Sequence, residues 1–380
     1  MTGGVRHLYV HLPFCVHRCG YCDFVTVVGR SEGHGSYVDA LLAELELEGG
    51  VLAAPLETIF IGGGTPTFTE PAELRRLLDA LPSAAEVTVE ANPETVTPEL
   101  ASLLREAGVT RVSLGAQSFQ PRLLETLERR AGPDAVRRAF HTLRDVVFDN
   151  ISLDLLYGIP GQSPSDLDAD LAEALTLAPE HLSYYELEAK PGTRFTHAHG
   201  DELERQAEAM EGYFEQVVET LTGASYRWYE TANFCLEPTR VGGRDVRARH
   251  NLGYWRASDY LGIGIGAVST VEGVRWRNLP SLGGYVAALA EGVAPPREVE
   301  PLDDDTRARE RLLLGLRLDE PLRLDARLAE VVDRAARERL TRGGLIEPSG
   351  VGPTDSLALT KRGRFLGGGV TVELFAEVPE

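Results

Sequence analysis

Lysine is nearly missing from this 380-residue chain: Lys190 and Lys361 are the only two, and every other basic residue is arginine. That bias reads as GC-rich coding rather than chemistry. Positive charge as a whole is short, with 38 basic against 58 acidic residues and a net charge of −20. Nucleic-acid binding depends on clustered Lys and Arg that displace counterions, so this balance argues against a DNA or RNA partner. Long apolar runs are lacking too. No stretch approaches the roughly 18 residues of a membrane helix, which leaves at most a peripheral membrane contact. The opening residues run straight into a strand pattern without a charged n-region and an apolar h-region, so no secretory leader is expected. Cysteine is scarce, at four residues. With no export signal, that scarcity points to a reducing cytoplasm rather than a disulfide-stapled secreted fold. No internal repeat stands out beyond the alternating units described below, and no low-complexity tract.

What cysteine there is concentrates in one place. Cys15, Cys19 and Cys22 stand in the run Tyr9-Val-His-Leu-Pro-Phe-Cys-Val-His-Arg-Cys-Gly-Tyr-Cys-Asp-Phe24. Three thiols cannot all pair as disulfides, and the spacing is too tight for three separate roles. Thiolates this close suit a soft metal centre, most commonly an iron–sulfur cluster. A cubane usually takes four cysteines, so three leave one iron able to bind a small chelating substrate. A zinc site one ligand short, or three structural cysteines, are the competing readings; zinc sites usually close with four ligands at paired spacings. The Cys-x3-Cys-x2-Cys spacing resembles the radical S-adenosylmethionine (SAM) superfamily. That resemblance implies a [4Fe–4S] cluster whose open iron binds the amino and carboxylate groups of SAM and whose electron cleaves it to a 5′-deoxyadenosyl radical.

Through the first half of the chain, short apolar runs alternate with helical patterns. Strands are expected at His7–Leu12, Thr58–Ile61, Val87–Ala91, Arg111–Gly115, Ile151–Tyr157 and His181–Leu187. Helices are expected at Tyr37–Leu47, Pro71–Leu81, Pro98–Ala107, Ala135–Arg144 and Ser165–Ala178. Runs such as Thr58-Ile-Phe-Ile61 lack alternation, as in strands buried on both faces of a parallel sheet. Pro71 and Pro98 read as first-turn prolines behind N-caps. Alternating strand and helix implies right-handed crossovers. Six units are too few for a closed eight-stranded barrel, so the expected fold is α/β, an open (βα)6 partial TIM barrel with a smaller α+β C-terminal domain. The boundaries read 1–200 for the core, 201–291 for a core-completing region rich in aromatics and glycines, and 297–380 for a helical and hairpin domain, with 292–296 as a linker. Helices followed by a hairpin could suggest a winged helix. The stretch Asp303–Arg342 holds ten Arg against ten Asp plus Glu, however, which offers no net basic face and favours a packing or partner module.

In such a sheet the chemistry belongs at the C-terminal strand ends, and the polar clusters fall there. The Cys loop follows strand one, Gly62-Gly-Gly-Thr-Pro-Thr67 strand two, and Glu90-Ala-Asn-Pro93 ends strand three. Gln117-Ser-Phe119 follows strand four, Asp154 and Tyr157-Gly-Ile-Pro160 lie at strand five, and Glu186 to Gly192 follow strand six. The Gly62 run is no P-loop, because no Gly-Lys-Ser/Thr follows; it is a tight turn or a place where backbone approaches a ligand closely. Gly262-Ile-Gly-Ile-Gly266 lacks the dinucleotide spacing. Glu90 and Asp154 sit in apolar strands where an unpaired charge is costly, and carboxylates suit the cationic amine, sulfonium and ribose hydroxyls of SAM. Gln117 and Arg129 can add hydrogen bonds, although Arg129 alone reads as a solvated helix charge. Cys235, between Phe234 and Leu236, reads as a small core residue. His250 is either a satisfied core histidine in an aromatic nest or an axial ligand to haem iron.

Taken together, Tyr9-x-His-x-Pro-Phe-Cys-x3-Cys-x-Tyr-Cys-x-Phe24, Gly62–Thr67, Glu90–Pro93, Leu114-Gly-Ala-Gln-Ser-Phe119, Asp154–Gln162 and His250-Asn-x-x-Tyr-Trp255 resemble the coproporphyrinogen-dehydrogenase and haem-chaperone branch of radical-SAM proteins. The resemblance covers nearly the whole chain. It lies closer to the chaperones, since the dehydrogenase pattern adds a cysteine where this chain has Phe24, and carries a longer leader. It implies cluster ligation by Cys15, Cys19 and Cys22, and SAM contacts at Tyr9, Tyr21, Gly63, Gly64, Thr65, Glu90, Gln117, Arg129, Asp154 and Val268. The His-Asn-x-x-Tyr-Trp run is associated there with haem, which implies a haem contact at His250, with Arg247, Arg249 and Arg256 near enough in sequence to hold the propionates. Two positions depart from the pattern: Ala131 stands where His is frequent, and Lys190 precedes Pro191 where an acidic residue is common. The expected function is haem binding and transfer to an acceptor protein such as a respiratory enzyme. The alternatives are oxygen-independent coproporphyrinogen III dehydrogenation and radical-SAM chemistry on another substrate, so whether the chain is an enzyme stays open at this stage.

Overall fold

The computed structural model describes residues 4–29, 33–190, 193–348 and 355–375. Its centre is a run of parallel strands: β1 (His7–Leu12), β2 (Leu56–Gly63), β3 (Ala84–Ala91), β4 (Arg111–Gln117), β5 (Ile151–Tyr157) and β6 (His181–Glu186). Each is hydrogen-bonded to the next in parallel register. The crossovers are made by α1 (His34–Glu48), α2 (Pro71–Ala80), α3 (Pro98–Glu106), α4 (Pro121–Thr126) with α5 (Pro133–Asp145), and α6 (Pro164–Leu177). The expected strand and helix positions therefore hold, with ends shifted by no more than three residues. The prolines differ in detail. Thr97 caps α3 by accepting the Leu100 N–H at 3.2 Å, whereas Glu70 before Pro71 makes no side-chain cap bond.

The strands alternate, contrary to the expected unbroken apolar runs. Register places His7, Thr58, Glu86, Thr88, Arg111, Ser152 and His181 on one face of the sheet. Leu8, Val10, Ile59, Val89, Val112, Leu153 and Leu182 occupy the other, essentially without exposure, packed under the helices. One face is an apolar helix-docking surface and the other a buried polar lining. That is the division an open barrel produces, its inside being a packed layer rather than a pore.

The sheet continues past the six expected strands. Its full order among the described residues is β12-β11-β10-β9-β1-β2-β3-β4-β5-β6-β8-β7, where β7 is Tyr226–Trp228, β8 Asn233–Leu236, β9 Tyr260–Ile263, β10 Val268–Val271, β11 Val274–Asn278 and β12 Arg297–Pro301. β9 runs parallel to β1, while β10 to β12 and the β8–β7 pair are antiparallel additions at the two edges. The sheet does not close on itself. Buried Glu44 of α1 fastens the first extension by accepting from Gly264 N–H (2.8 Å), Asn278 Nδ2 (2.7 Å) and Tyr285 Oη (2.6 Å).

After β6 come α7 (Arg194–Gln206) and α8 (Met210–Gly223), then α9 (Arg249–Trp255) and α10 (Leu282–Ala290). A separate apolar cluster around Leu312, Leu328, Leu340 and Leu374 gathers α11 (Asp304–Gly315), α12 (Ala326–Glu330) and α13 (Arg334–Arg342). The expected hairpin survives as an antiparallel bridge between Ile346 and Leu359, its tip outside the described residues. Gly367–Glu373 is helical despite three leading glycines. No helix among the described residues is long and apolar enough to cross a membrane.

Candidate metal and cofactor site

The loop after β1 carries the three cysteines across the C-terminal mouth of the open barrel. Cys15 is buried in a two-residue strand paired with Val27–Val28, its Sγ 3.5 Å from Thr65 Oγ1. The Cys22 N–H donates to the Cys19 carbonyl at 3.2 Å, folding these two into one turn. Arg18 holds that turn with two N–H bonds to the Cys22 carbonyl (3.3 and 3.0 Å). Arg129 is no solvated helix charge: it is inserted into the site. It directs one N–H to Cys19 Sγ (3.8 Å), two to Asn92 Oδ1 (both 3.1 Å) and one to the Gly115 carbonyl (2.7 Å). Asn92 Nδ2 in turn donates to Thr65 Oγ1 at 3.1 Å. One network therefore links Cys19, Arg129, Asn92, Thr65 and Cys15 across four strand ends. Tyr21 packs beside it, next to Leu123 and Leu127.

The donor set fits a cluster. Three free thiols carried by one loop are the donors an iron–sulfur cluster takes, each thiolate to an iron of its own. Cys235 is buried elsewhere, beside Tyr229 and Val246.

The glycine run has a packing reason. Gly63 adopts φ 114°, and a Cβ there would fall 2.5 Å from the His11 ring; a Cβ on Gly64 would fall 2.5 Å from the Pro13 carbonyl oxygen. The Cys loop thus lies directly on this turn, and any side chain would push it off. The freed backbone is already used, since Gly63 N–H donates to Glu90 Oε2 at 3.1 Å. Gln117 takes a left-handed φ of 66° at the end of β4, with its amide nitrogen against the space where a Gly115 side chain would be.

Glu90 and Asp154 lie on the same inward face of the sheet, two strands apart, within reach of each other's charge. Burial pushes the Glu90 carboxyl up to about 7, the Asp154 charge adds to the rise, and the Gly63 N–H and Arg111 oppose it. Burial also raises Asp154, against Arg111 and the Ser113 hydroxyl, which donates to both its oxygens (3.0 and 2.9 Å). Near β9 and β10, Tyr9, His11, Phe24 and Val268 line a cavity of about 280 Å³. His11 Nε2 can only donate to the Val25 carbonyl (2.9 Å), so its Nδ1 accepts the Tyr9 hydroxyl (3.0 Å). Burial pushes this imidazole down to about 4, which keeps it neutral.

His250 lies lower, toward the N-terminal strand ends, under α9. It is 1% exposed, with Nδ1 2.7 Å from Thr58 Oγ1 and Nε2 2.9 Å from Tyr254 Oη. The Tyr9, Phe60 and His7 rings surround it, and burial pushes it down to about 3. As placed, neither ring nitrogen is open to a ligand. Arg247 is held by Asp245 and Glu320, and Arg256 by Glu320.

These arrangements have relatives. The haem chaperone HemW of Mycobacterium tuberculosis is 38% identical over 378 residues, which span 96% of this chain and 94% of its own. The chain belongs to the HemW family. HemW of Escherichia coli is 38% identical over 268 residues, 68% of each chain. A radical SAM superfamily model matches residues 9–174. Among solved structures, the E. coli coproporphyrinogen III oxidase HemN, described as a radical SAM enzyme, superposes with a TM-score of 0.80 at 22% identity, over 98% of this chain and 90% of that one. The shared fold carries the Cys loop, the Gly62 turn and the ends of β3 to β5 to one mouth.

Membership of the HemW family gives the departures a setting. Phe24 is 65% exposed at the rim of the Tyr9 cavity. Ala131 is buried. Lys190 reaches Asp23 of the Cys loop at 3.8 Å; Pro191 and Gly192 lie outside the described residues. Sequence reasoning singled out neither Asn92 nor Arg111. Asn92 could have been found, being the conspicuous polar residue of Glu90-Ala-Asn-Pro93. Arg111, 2% exposed, gave no signal beyond heading an apolar strand.

Proposed function

We propose that this chain is a cytoplasmic haem chaperone that carries a [4Fe–4S] cluster on Cys15, Cys19 and Cys22 and SAM beside it, and that it passes haem to an acceptor protein. Full-length similarity to HemW proteins is the observation that carries the reading. When bound, the cluster would supply one-electron reduction and an open iron for the SAM amino and carboxylate groups. The chain's own part is to hold SAM: Glu90 and Asp154 offer carboxylates to its cationic end, Tyr9, Tyr21 and Val268 offer walls, and Gly63, Gly64, Thr65, Gln117 and Arg129 fix the rim. After anaerobic reconstitution, haem titration should saturate at one equivalent per chain, and coproporphyrinogen III with SAM and reductant should stay unconverted. Appearance of protoporphyrinogen would replace this reading with the dehydrogenase.

SAM binding should depend on pH. A cation is held by ionised Glu90, whose carboxyl is raised to about 7 by burial and by Asp154, so SAM affinity should rise from pH 6 to pH 8. Below the midpoint, each pH unit should weaken binding by up to about tenfold for one coupled proton. Glu90→Gln should bind more weakly and flatten the profile between pH 6 and 8. A parent profile flat over that range in equilibrium dialysis would remove Glu90 from the SAM contacts.

A further inference from the structure

A cleft of about 640 Å³ opens between the inner face of β9 to β11 and the helices α11 and α12. Its volume lies within the range of about 300–1,000 Å³ usual for small-molecule sites. Tyr254 and Tyr260, in edge-to-face contact with centroids 4.7 Å apart, form the inner wall, and the same two rings line the far side of the Tyr9 cavity. Leu314 and Leu328 supply the apolar helical wall.

The charges around this cleft are unequal in their commitments. Glu310 takes two N–H bonds from Arg275 (2.9 and 2.5 Å), and Asp325 pairs with Arg311 while capping α12 through the Leu328 N–H (2.9 Å). Asp259 accepts the Glu272 N–H at 2.9 Å. Those carboxylates are internally satisfied. Arg307 and Arg327 are half exposed, and their pairs, Arg307 with Asp304 (4.0 Å) and Arg327 with Glu330 (2.6 Å) and Asp305 (3.9 Å), are surface contacts, which are cheap to exchange. A cleft walled by Tyr254, Tyr260, Leu314 and Leu328, with two exchangeable guanidiniums beside them, matches a planar macrocycle bearing two carboxylates, because Arg binds carboxylate bidentately.

We infer that haem sits in this cleft, with its propionates on Arg307 and Arg327 and its ring against Tyr254. The placement rests on the haem-chaperone reading and deepens it. It also divides the His-Asn-x-x-Tyr-Trp run into roles. Tyr254 reaches the cleft. His250, one turn earlier, holds the Tyr254 hydroxyl from behind at 2.9 Å and is a positioning residue. Trp255 points the other way, under the Arg317 guanidinium (4.2 Å to the ring centroid).

The test compares haem with haem dimethyl ester on the intact, reconstituted chain. In the parent the ester should bind about ten- to hundredfold more weakly, the effect of losing charge-assisted hydrogen bonds. In Arg307→Glu/Arg327→Glu, on exposed positions that folding tolerates, haem should weaken to the level of the ester and the discrimination should vanish. Leu314→Trp should lower affinity for both by filling the slot. Parent-like haem affinity and ester discrimination in the charge-reversed variant would overturn the placement while leaving the chaperone function standing. A parent chain that binds neither porphyrin would overturn both.

Discussion

Replacing Cys15, Cys19 or Cys22 by Ala should each abolish the iron and acid-labile sulfide of anaerobically reconstituted protein, while Cys235→Ala should retain both in full. The asymmetry follows from placement. Cys15 is fixed by the short strand Phe14–Cys15 and touches Thr65. Cys19 faces Arg129, and Cys22 closes the turn back to Cys19. With three protein thiolates there is no spare ligand, so losing one leaves two irons without protein ligation. Cys235 packs among Tyr229, Val246 and Leu252, in an apolar cluster apart from the Cys loop, where it reads as a small core residue. Secondary structure by circular dichroism separates cluster loss from unfolding. Iron content that survives in Cys19→Ala would refute the three-cysteine assignment.

Much of this arrangement was legible in the chain, for physical reasons that also mark where legibility ends. The six core strands and their crossover helices announced themselves because each outer face is apolar with a helical partner at matching spacing, as in Ile151–Tyr157 followed by Pro164–Leu177. The mouth residues were readable because they follow strands, which in parallel sheets fixes their side. The inward face was harder. Thr58-Ile-Phe-Ile61 looks uniformly apolar because Phe60 occupies an inward position, against Tyr9 and His250, and this hid the alternation. The outer strands were missed because Tyr260-Leu-Gly-Ile-Gly-Ile-Gly266 is short of side chains. Its glycines exist for close approach: a Cβ on Gly262 would lie 2.1 Å from the Val268 carbonyl oxygen. The roles of Tyr254 and Trp255 were unreadable as well, since only the direction of α9 decides which of two adjacent aromatics faces the cleft.

The residue that sequence reasoning passed over should have the second large effect. Arg111 starts β4 inside the barrel, 2% exposed, with one direct hydrogen bond to His181 Nδ1 at 3.2 Å. His181 is fixed in turn by Ser152 (2.8 Å) and Tyr229 (2.7 Å), and burial, with Arg111 nearby, drives it well below the usual range, so it is neutral. Burial raises Glu86, Glu90 and Asp154, and the Arg111 guanidinium pulls all three back down. It is a shared counterion acting through space. Arg111→Met keeps length and apolar bulk but leaves three buried carboxyls without that charge. Stability should fall by about 3 kcal/mol, the lower end of the cost of orphaning a buried charge, because no direct ion pair is broken. The sign with pH is fixed. Acids raised in the folded state bind protons more tightly there than in the unfolded chain, so stability declines as pH rises from the unfolded values of about 4 through the folded ones. The deficit of Arg111→Met should therefore be larger at pH 8 than at pH 5. SAM should also bind more weakly at neutral pH, as Glu90 and Asp154 retain protons, and recover part of its affinity when the pH is raised. Urea unfolding at the two pH values, alongside SAM dialysis on the folded variant, checks both halves. A pH-independent loss of stability with unaltered SAM binding would reduce Arg111 to a packing residue and detach the buried layer from the charge state of the site above it.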